Sequence, residues 1–249
     1  MVDIEANLRH VQRRIAEAAE RGGRDPAEIT LVAVTKLRSV EDIKAAYELG
    51  VRHFGENRVH EAAEKIPIIN RWLEQERTPT PLTWHMVGHL QSRKAKDAIR
   101  LFDIIHSVDT PKLAKRLDRL CEHEGRVMPV LLEANVSGEE SKYGFALERW
   151  EEDEEQREGF FAIVEEMLAL PNIGVQGLMT MAPIVTDPED ARPYFRRLRE
   201  LRDELRRRFP TSSWRHLSMG MTDDFEVAVE EGATMVRIGR AIFGERPEV

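Results

Sequence analysis

Apolar residues recur along the chain at two different spacings, and the two spacings alternate. From Ile4 to Ala19 the apolar positions stand three or four residues apart, which is typical of an amphipathic helix, and Gly22 is expected to end that helix. The next segment, 29–35, is short, almost entirely apolar and rich in β-branched residues. Such a run predicts a strand that is buried on both faces.

The same alternation of strand-like and helical segments repeats to the end of the chain. The predicted strands are 29–35, 51–56, 82–87, 103–108, 127–135, 174–180, 213–218 and 234–238. A helix is predicted after each strand, with 147–170 expected to be mostly helical and 222–231 helical throughout. Alternation implies a parallel sheet, and eight repeats in 249 residues favour a closed TIM-type (β/α)8 barrel over an open sheet. We therefore expect one α/β barrel domain, residues 1–249, with an extra N-terminal helix.

Composition and charge argue against several classes of function. The net charge of −8 gives no basic field for nucleic acid or an anionic membrane. The lone cysteine, Cys121, excludes an internal disulfide and suits a reducing compartment. No run approaches ~18 consecutive apolar residues, and the charged N-terminus lacks the apolar core of a secretory signal. We expect a cytoplasmic protein without nucleic-acid or membrane partners.

Two features point to other chemistry, and each has a simpler interpretation. The arginine-rich segment 196–208 resembles a nucleic-acid patch, but Leu198, Leu201 and Leu205 fit a helix with its leucines in the core and its arginines in solvent.

His85 and His89 are four residues apart, as zinc ligands on a helix can be. They fall on a predicted strand and loop, and no glutamate completes a metalloprotease motif, so we expect no metal.

Functional groups of such barrels gather where the strands end, and Lys36 directly follows the first strand. A lysine that ends an apolar strand is partly desolvated, and desolvation makes an amine a better nucleophile for an aldehyde. The alternative is a surface lysine that begins a loop. Position alone favours a functional lysine only slightly.

The last two strands carry the pattern of a phosphate site. Ser218, Gly220 and Gly239 offer small side chains and backbone N–H groups, and a short helix is predicted around residues 240–243. The alternative is that these glycines serve only tight turns. Arg237 lies within the last apolar strand, where it either meets an acceptor or anion inside the barrel or extends outwards between helices.

The chain resembles the pyridoxal phosphate homeostasis proteins, which are similar to the barrel domain of alanine racemase. The resemblance runs in order through nearly the whole chain. The matching stretches are VAVTK (32–36), HFGENRVHEA (53–62), WHMVGHLQSRK (84–94), HSVD (106–109), NVSGEESKYGF (135–145), GLMTMAP (177–183) and LSMGMTDDFEVAVEEGATMVRIGRAIFG (217–244).

The resemblance implies a site for pyridoxal 5′-phosphate. Lys36 would hold the cofactor as a Schiff base, and Arg237 would face the pyridine nitrogen. The phosphate would be held by Ser218, Gly239 and the backbone at Arg240, a position where many members have threonine. The remaining implied contacts are Asn57 and Met219 along the ring, with His85 nearby.

The resemblance also implies a role in buffering and delivering the cofactor rather than in catalysis. Racemisation needs a second proton-transfer group on the face of the cofactor opposite Lys36, and no tyrosine is an obvious candidate. The chain also ends about ten residues after the last strand, so we expect no second domain to close over a substrate. We expect a non-enzymatic carrier, a monomer that passes pyridoxal phosphate to acceptor apo-enzymes. The alternatives are a low-activity amino-acid racemase and a regulator that binds through segment 196–208.

Overall fold

The computed structural model describes residues 2–75 and 80–245, and its strands alternate with helices as the apolar spacing predicts. The strands are β1 (Thr30–Val34), β2 (His53–Glu56), β3 (Thr83–Met86), β4 (Ile104–Val108), β5 (Met128–Asn135), β6 (Phe145–Ala146), β7 (Ile173–Met179), β8 (His216–Ser218) and β9 (Met235–Ile238). The helices are α1 (Ile4–Arg21), α2 (Val40–Glu48), α3 (Val59–Leu73), α4 (Ala95–Leu101), α5 (Pro111–Glu124), α6 (Glu154–Leu168), α7 (Arg192–Arg208), α8 (Phe225–Glu230) and α9 (Arg240–Phe243).

Eight parallel strands within these ranges close into a barrel in the order β1-β2-β3-β4-β5-β7-β8-β9. Closure is completed where β9 pairs with β1, with Ile238 opposite Ala33. The extra helix α1 packs against α8 and α9, and Arg14 and Arg21 of α1 form ion pairs with Glu226 of α8. The predicted closed barrel with an N-terminal helix is therefore confirmed.

Two predicted helices begin later in the structure because of local hydrogen bonds, and one short strand was not predicted. Helix α6 begins only at Glu154, because Asp153 caps it by accepting the N–H of Gln156 at 3.0 Å. Helix α8 begins only at Phe225, because Asp224 accepts the N–H of Met221 at 2.6 Å and closes a turn there. The two-residue strand β6, which pairs with the end of β5, is too short to show any periodicity in the sequence.

The apolar core forms two separate clusters, one inside the barrel and one between the strands and the helices. The inner cluster consists of Val32, Val87, Ile104, Leu131, Met179 and Met235. Leu198, Leu201 and Leu205 of α7 are buried in the outer cluster, so the simpler interpretation of the arginine-rich segment is confirmed for its leucines. None of the helices in the described ranges combines the length and apolar character that crossing a bilayer requires.

Candidate cofactor site

The loops that follow the carboxyl ends of the barrel strands form the rim of the barrel, where TIM-type barrels bind their ligands. Because β9, β1 and β2 are neighbours, the rim brings Gly239, Lys36 and Asn57 into adjacent positions. Ser218 and Arg237 lie slightly below the rim, at the end of β8 and within β9. Residues far apart in sequence thus converge on one side of the barrel.

Lys36 lies two residues beyond the end of β1 and is half-buried. The next residue, Leu37, has a left-handed backbone with φ 59°, a conformation that costs an ordinary residue about 1–2 kcal/mol. The N–H of Leu37 donates a hydrogen bond to the carboxylate of Glu61 in α3. The strained turn that carries Lys36 is therefore held from outside by a neighbouring helix.

A buried group of charged side chains fixes the other side of this turn. The ammonium of Lys65 donates to the carbonyl oxygen of Thr35 at 2.7 Å, to Glu56 at 3.0 Å and to Glu61. The hydroxyl of Thr35 also donates to Glu56, at 2.7 Å. Burial raises the pKa of Glu56, and the nearby Lys65 opposes that shift. Sequence reasoning missed this group; the spacing of Glu61 and Lys65, four apart in α3, was its one local signal.

Two glycines shape the backbone beside Lys36. A Cβ atom on Gly239 would lie 3.0 Å from the carbonyl oxygen of Val34, so the loop after β9 passes directly against the end of β1. Gly220 has φ 91°, and a Cβ atom there would lie 2.6 Å from that of Ala228. A larger residue would push either loop outwards. The two loops therefore form a narrow backbone cradle next to Lys36.

The side chain of Arg240 is engaged at the surface. Its guanidinium donates to Asp223 at 2.7 Å and forms a second ion pair with Glu245 at 3.5 Å. The Asp223 bond raises the pKa of Arg240. The side chain of Arg240 is thus held by surface acids, whereas its backbone begins helix α9 directly after Gly239.

Two other predicted contacts lie away from the rim. The side chain of Met219 is fully buried in the outer cluster, between the strands and the helices, so only its backbone is available to a ligand at the rim. His85 lies within β3, inside the barrel, and is also fully buried. The structure therefore separates the eight predicted residues into a rim group (Lys36, Asn57, Gly239 and Arg240), an interior group (Ser218, Arg237 and His85) and Met219, whose side chain belongs to the outer cluster.

The interior group belongs, together with His106 and His53, to a chain of hydrogen bonds inside the barrel. Arg237 Nη1 donates to Ser218 Oγ at 2.6 Å, Ser218 Oγ lies 2.9 Å from His106 Nδ1, His106 Nε2 lies 2.8 Å from His85 Nδ1, and His85 Nε2 lies 3.0 Å from His53 Nδ1. Arginine has no acceptor, so the Ser218 hydroxyl accepts from Arg237 and keeps its own O–H as a donor for His106 Nδ1. When Ser218 donates to His106, each histidine in the chain carries its proton on Nε2.

Burial keeps these histidines neutral. It lowers the pKa of His85 to about 3, with smaller contributions from His53 and His216, and it lowers the pKa of His106 well below its usual value. Burial also lowers the pKa of Arg237, but only to about 10, so this guanidinium stays protonated at neutral pH. Arg237 is therefore a fixed positive charge just beneath the rim.

A carboxyl group lies in the same interior region. Glu133 of β5 is 2% exposed, and within the described ranges its Oε2 has no hydrogen-bond partner. Burial raises the pKa of Glu133 to about 7, the charge of Asp109 adds to the shift, and Arg237 opposes it. Sequence reasoning did not single out Glu133, although a glutamate within a run of apolar strand residues was a visible signal.

Comparison with known proteins agrees with the fold. Residues 4–247 match the family described as the alanine racemase N-terminal domain. The solved structure of an unknown protein from Bifidobacterium adolescentis shares 35% identity, with a TM-score of 0.86 over 98% of this chain and 97% of that one. The fold and the strand-end lysine thus define a barrel of the alanine racemase N-terminal class.

Relatives with named functions narrow the family assignment. The pyridoxal phosphate homeostasis protein of Aquifex aeolicus is 42% identical over 239 residues, which are 96% of this chain and 96% of the relative. The PipY protein of Synechococcus elongatus PCC7942, solved with PLP bound, is 35% identical with a TM-score of 0.77, over 92% of this chain and all of that one (100%). The chain belongs to the family of pyridoxal phosphate homeostasis proteins.

Ser218→Ala should destabilise the fold, because it leaves the Nδ1 of His106 and a donor of Arg237 without a partner inside the barrel. Unsatisfied buried groups typically cost about 1–3 kcal/mol, and urea unfolding measures this loss. The matched control is Ser213→Ala, which removes an exposed hydroxyl and should change stability by no more than about 0.5 kcal/mol. Equal stability of the two variants would show that the Ser218 hydroxyl does not connect Arg237 and His106 by hydrogen bonds.

Glu133→Gln should stabilise the fold increasingly as the pH rises. The folded carboxyl keeps its proton up to a pKa of about 7, whereas the unfolded one releases it near 4.5, so the wild type loses stability through this interval. The amide does not titrate, and its advantage over the wild type should grow by about 2 kcal/mol between about pH 5.5 and 8.5. Urea unfolding at both pH values measures it. A difference between variant and wild type that stays constant over this pH range would contradict the raised pKa of Glu133.

Proposed function

We propose that this chain binds pyridoxal 5′-phosphate as a Schiff base on Lys36 and serves as a non-catalytic carrier in the intracellular homeostasis of vitamin B6. One observation carries the proposal: the clamped turn of Lys36 lies directly beside the backbone cradle of Gly220 and Gly239. An amine next to a glycine-lined backbone suits a molecule with an aldehyde at one end and a phosphate at the other.

The residues present fit this cofactor. The amine of Lys36 would condense with the aldehyde and release water, while backbone N–H groups of the loops after β8 and β9 would hold the phosphate. Asn57 would lie along the ring, since it follows the strand on the other side of β1. Bound pyridoxal phosphate supplies an electron-withdrawing ring and an aldehyde that reacts with amines. Holding that aldehyde on Lys36 keeps it from reacting with other proteins.

The fixed charge of Arg237 favours storage over catalysis. In this proposal the pyridine nitrogen would lie opposite Arg237, and a guanidinium that stays protonated would disfavour a proton on that nitrogen. A ring without that proton withdraws electrons weakly, and most amino-acid chemistry of this cofactor depends on strong withdrawal. The buried position of Arg237, bonded to Ser218 and to the carbonyl oxygen of Thr180, gives it little freedom to move away.

The tyrosines also support the carrier over a low-activity racemase. Racemisation needs a proton donor on each face of the substrate, and Lys36 can serve only one. Tyr47 donates to the carbonyl oxygen of Thr80 at 2.9 Å, and Tyr194 packs partly buried against the outer cluster. Tyr143 stacks on His89 with 3.6 Å between the ring centroids, beside β3 rather than β1. All three therefore have other roles in the fold.

The proposal also covers the oligomeric state, the compartment and the partners of the carrier. The carrier would act as a monomer in the cytoplasm, in keeping with the single buried cysteine, and would pass the cofactor to apo-enzymes that require it. The half-exposed rim around Lys36 suits a handover to a second protein.

Incubation with amino acids separates the carrier from the racemase. The loaded protein is mixed with L-alanine and L-serine in deuterated water, and D-isomer, keto acid and deuterium at Cα are measured over time. We expect slow exchange at most, because losing one positioned proton-transfer group removes roughly 10²–10⁴ in rate. Turnover near the ~10 s⁻¹ typical of enzymes, and lost in Lys36→Ala, would instead establish a racemase.

A further inference from the structure

A cavity of about 300 Å³ lies next to the proposed cofactor site, between the loop after β2 and the loop after β3. Its lining comprises Asn57, Arg58, Val59, His60, Met86, His89, Gln91, Arg93 and Lys94. Both loops belong to the rim, the face on which barrels bind ligands. The volume is at the lower end of the range for small-molecule sites.

The charge of this cavity is one-sided. Arg58, Arg93 and Lys94 carry positive charge, and the imidazole of His60 adds a further possible donor. His89 Nδ1 lies 3.2 Å from the carboxylate of Asp109, which is outside the lining. Among the described residues the lining includes no aspartate or glutamate. A concave surface with several cations and no carboxylate attracts anions strongly.

This concentration of cations contrasts with the rest of the chain. The net charge is −8, and several arginines elsewhere in the described residues are paired with acids, as Arg192 is with Glu189 and Glu230. Within the described residues Arg58, Arg93 and Lys94 form no ion pair, and Nε of Arg93 donates only to the neutral Gln91, at 3.0 Å. Three cations without acidic partners around one cavity leave their charge available to a ligand.

Helix α3 begins at the same cavity. Its N-cap residue is Arg58, whose side chain makes no capping hydrogen bond. The N–H groups of the first helical turn lack intrahelical acceptors and carry partial positive charge. These N–H groups add hydrogen-bond donors with partial positive charge to the positive charge of the side chains.

We propose that this cavity is a second anion site, which binds a small phosphorylated molecule beside the cofactor. A phosphate dianion matches both the three cations and the N–H donors, whereas a single carboxylate would leave much of the charge unmatched. Asn57 lines the cavity and also borders the proposed cofactor site, so the two ligands would be neighbours. The site is separate from the cradle at Gly220 and Gly239, which lies on the other side of β1.

The test uses protein in which the cofactor site is already filled. The chain is loaded with pyridoxal phosphate and reduced with borohydride, and inorganic pyrophosphate is then titrated by calorimetry. We expect one saturable site per chain, weakened at least about tenfold in Arg93→Gln/Lys94→Gln through the loss of two charge-assisted contacts. The matched control, Arg207→Gln/Arg208→Gln at the exposed end of α7, changes the net charge equally and should bind as the wild type does.

Several results would overturn the proposal. They are the absence of saturable binding, an equal loss in both double variants, or saturable binding of an oligoglutamate peptide without binding of pyrophosphate. Circular dichroism and the fraction of reduced adduct, read by mass, verify that the double variants fold and load normally. The anion-site proposal depends on the proposed function only because it describes the cavity as a neighbour of the cofactor site. If the chain formed no adduct, the cofactor assignment would be contradicted, and the pyrophosphate titration would still show whether the cavity binds an anion.

Discussion

The pairing of β9 with β1 is the interaction on which the other features of the structure depend. It closes the barrel, with Ile238 opposite Ala33, and so joins the beginning of the chain to its end. Without it, Lys36 would lie at an open sheet edge, far from Gly239. Closure also encloses Arg237, because the interior of a barrel excludes solvent from inward-facing side chains. The chemistry of the rim is thus a consequence of strand topology.

Closure places charged groups where water cannot solvate them, and hydrogen bonds stabilise two of these groups, Lys65 and Arg237. Lys65 is bonded to Glu56 and Glu61, and Arg237 is bonded to Ser218 and a backbone carbonyl. Buried charges are costly unless they are paired and bonded in this way. The two groups have different roles. Lys65, Glu56 and Glu61 hold the turn that carries Lys36, whereas Arg237 places a positive charge inside the barrel and is hydrogen-bonded through Ser218 to the histidines.

Sequence reasoning succeeded where the signal was local. Apolar β-branched runs predicted the barrel strands, and the end of one run predicted the position of Lys36 at the rim. It could not predict the partners of Ser218, because these depend on the register between strands. The direction of the Met219 side chain could have been predicted. Adjacent strand residues face opposite sides of a sheet, so an inward Ser218 side chain implies an outward Met219 side chain. The clamp by Lys65 required knowing how α3 packs.

The site of covalent attachment tests the central claim most directly. The chain is incubated with pyridoxal phosphate, reduced with borohydride and digested, and the modified peptide is identified by mass spectrometry. The account predicts that the adduct lies on Lys36 and disappears in Lys36→Ala, while Lys142→Ala, which changes another half-buried lysine, retains it. An adduct that remains in Lys36→Ala, or one found mainly on Lys94 or Lys142, would contradict the account.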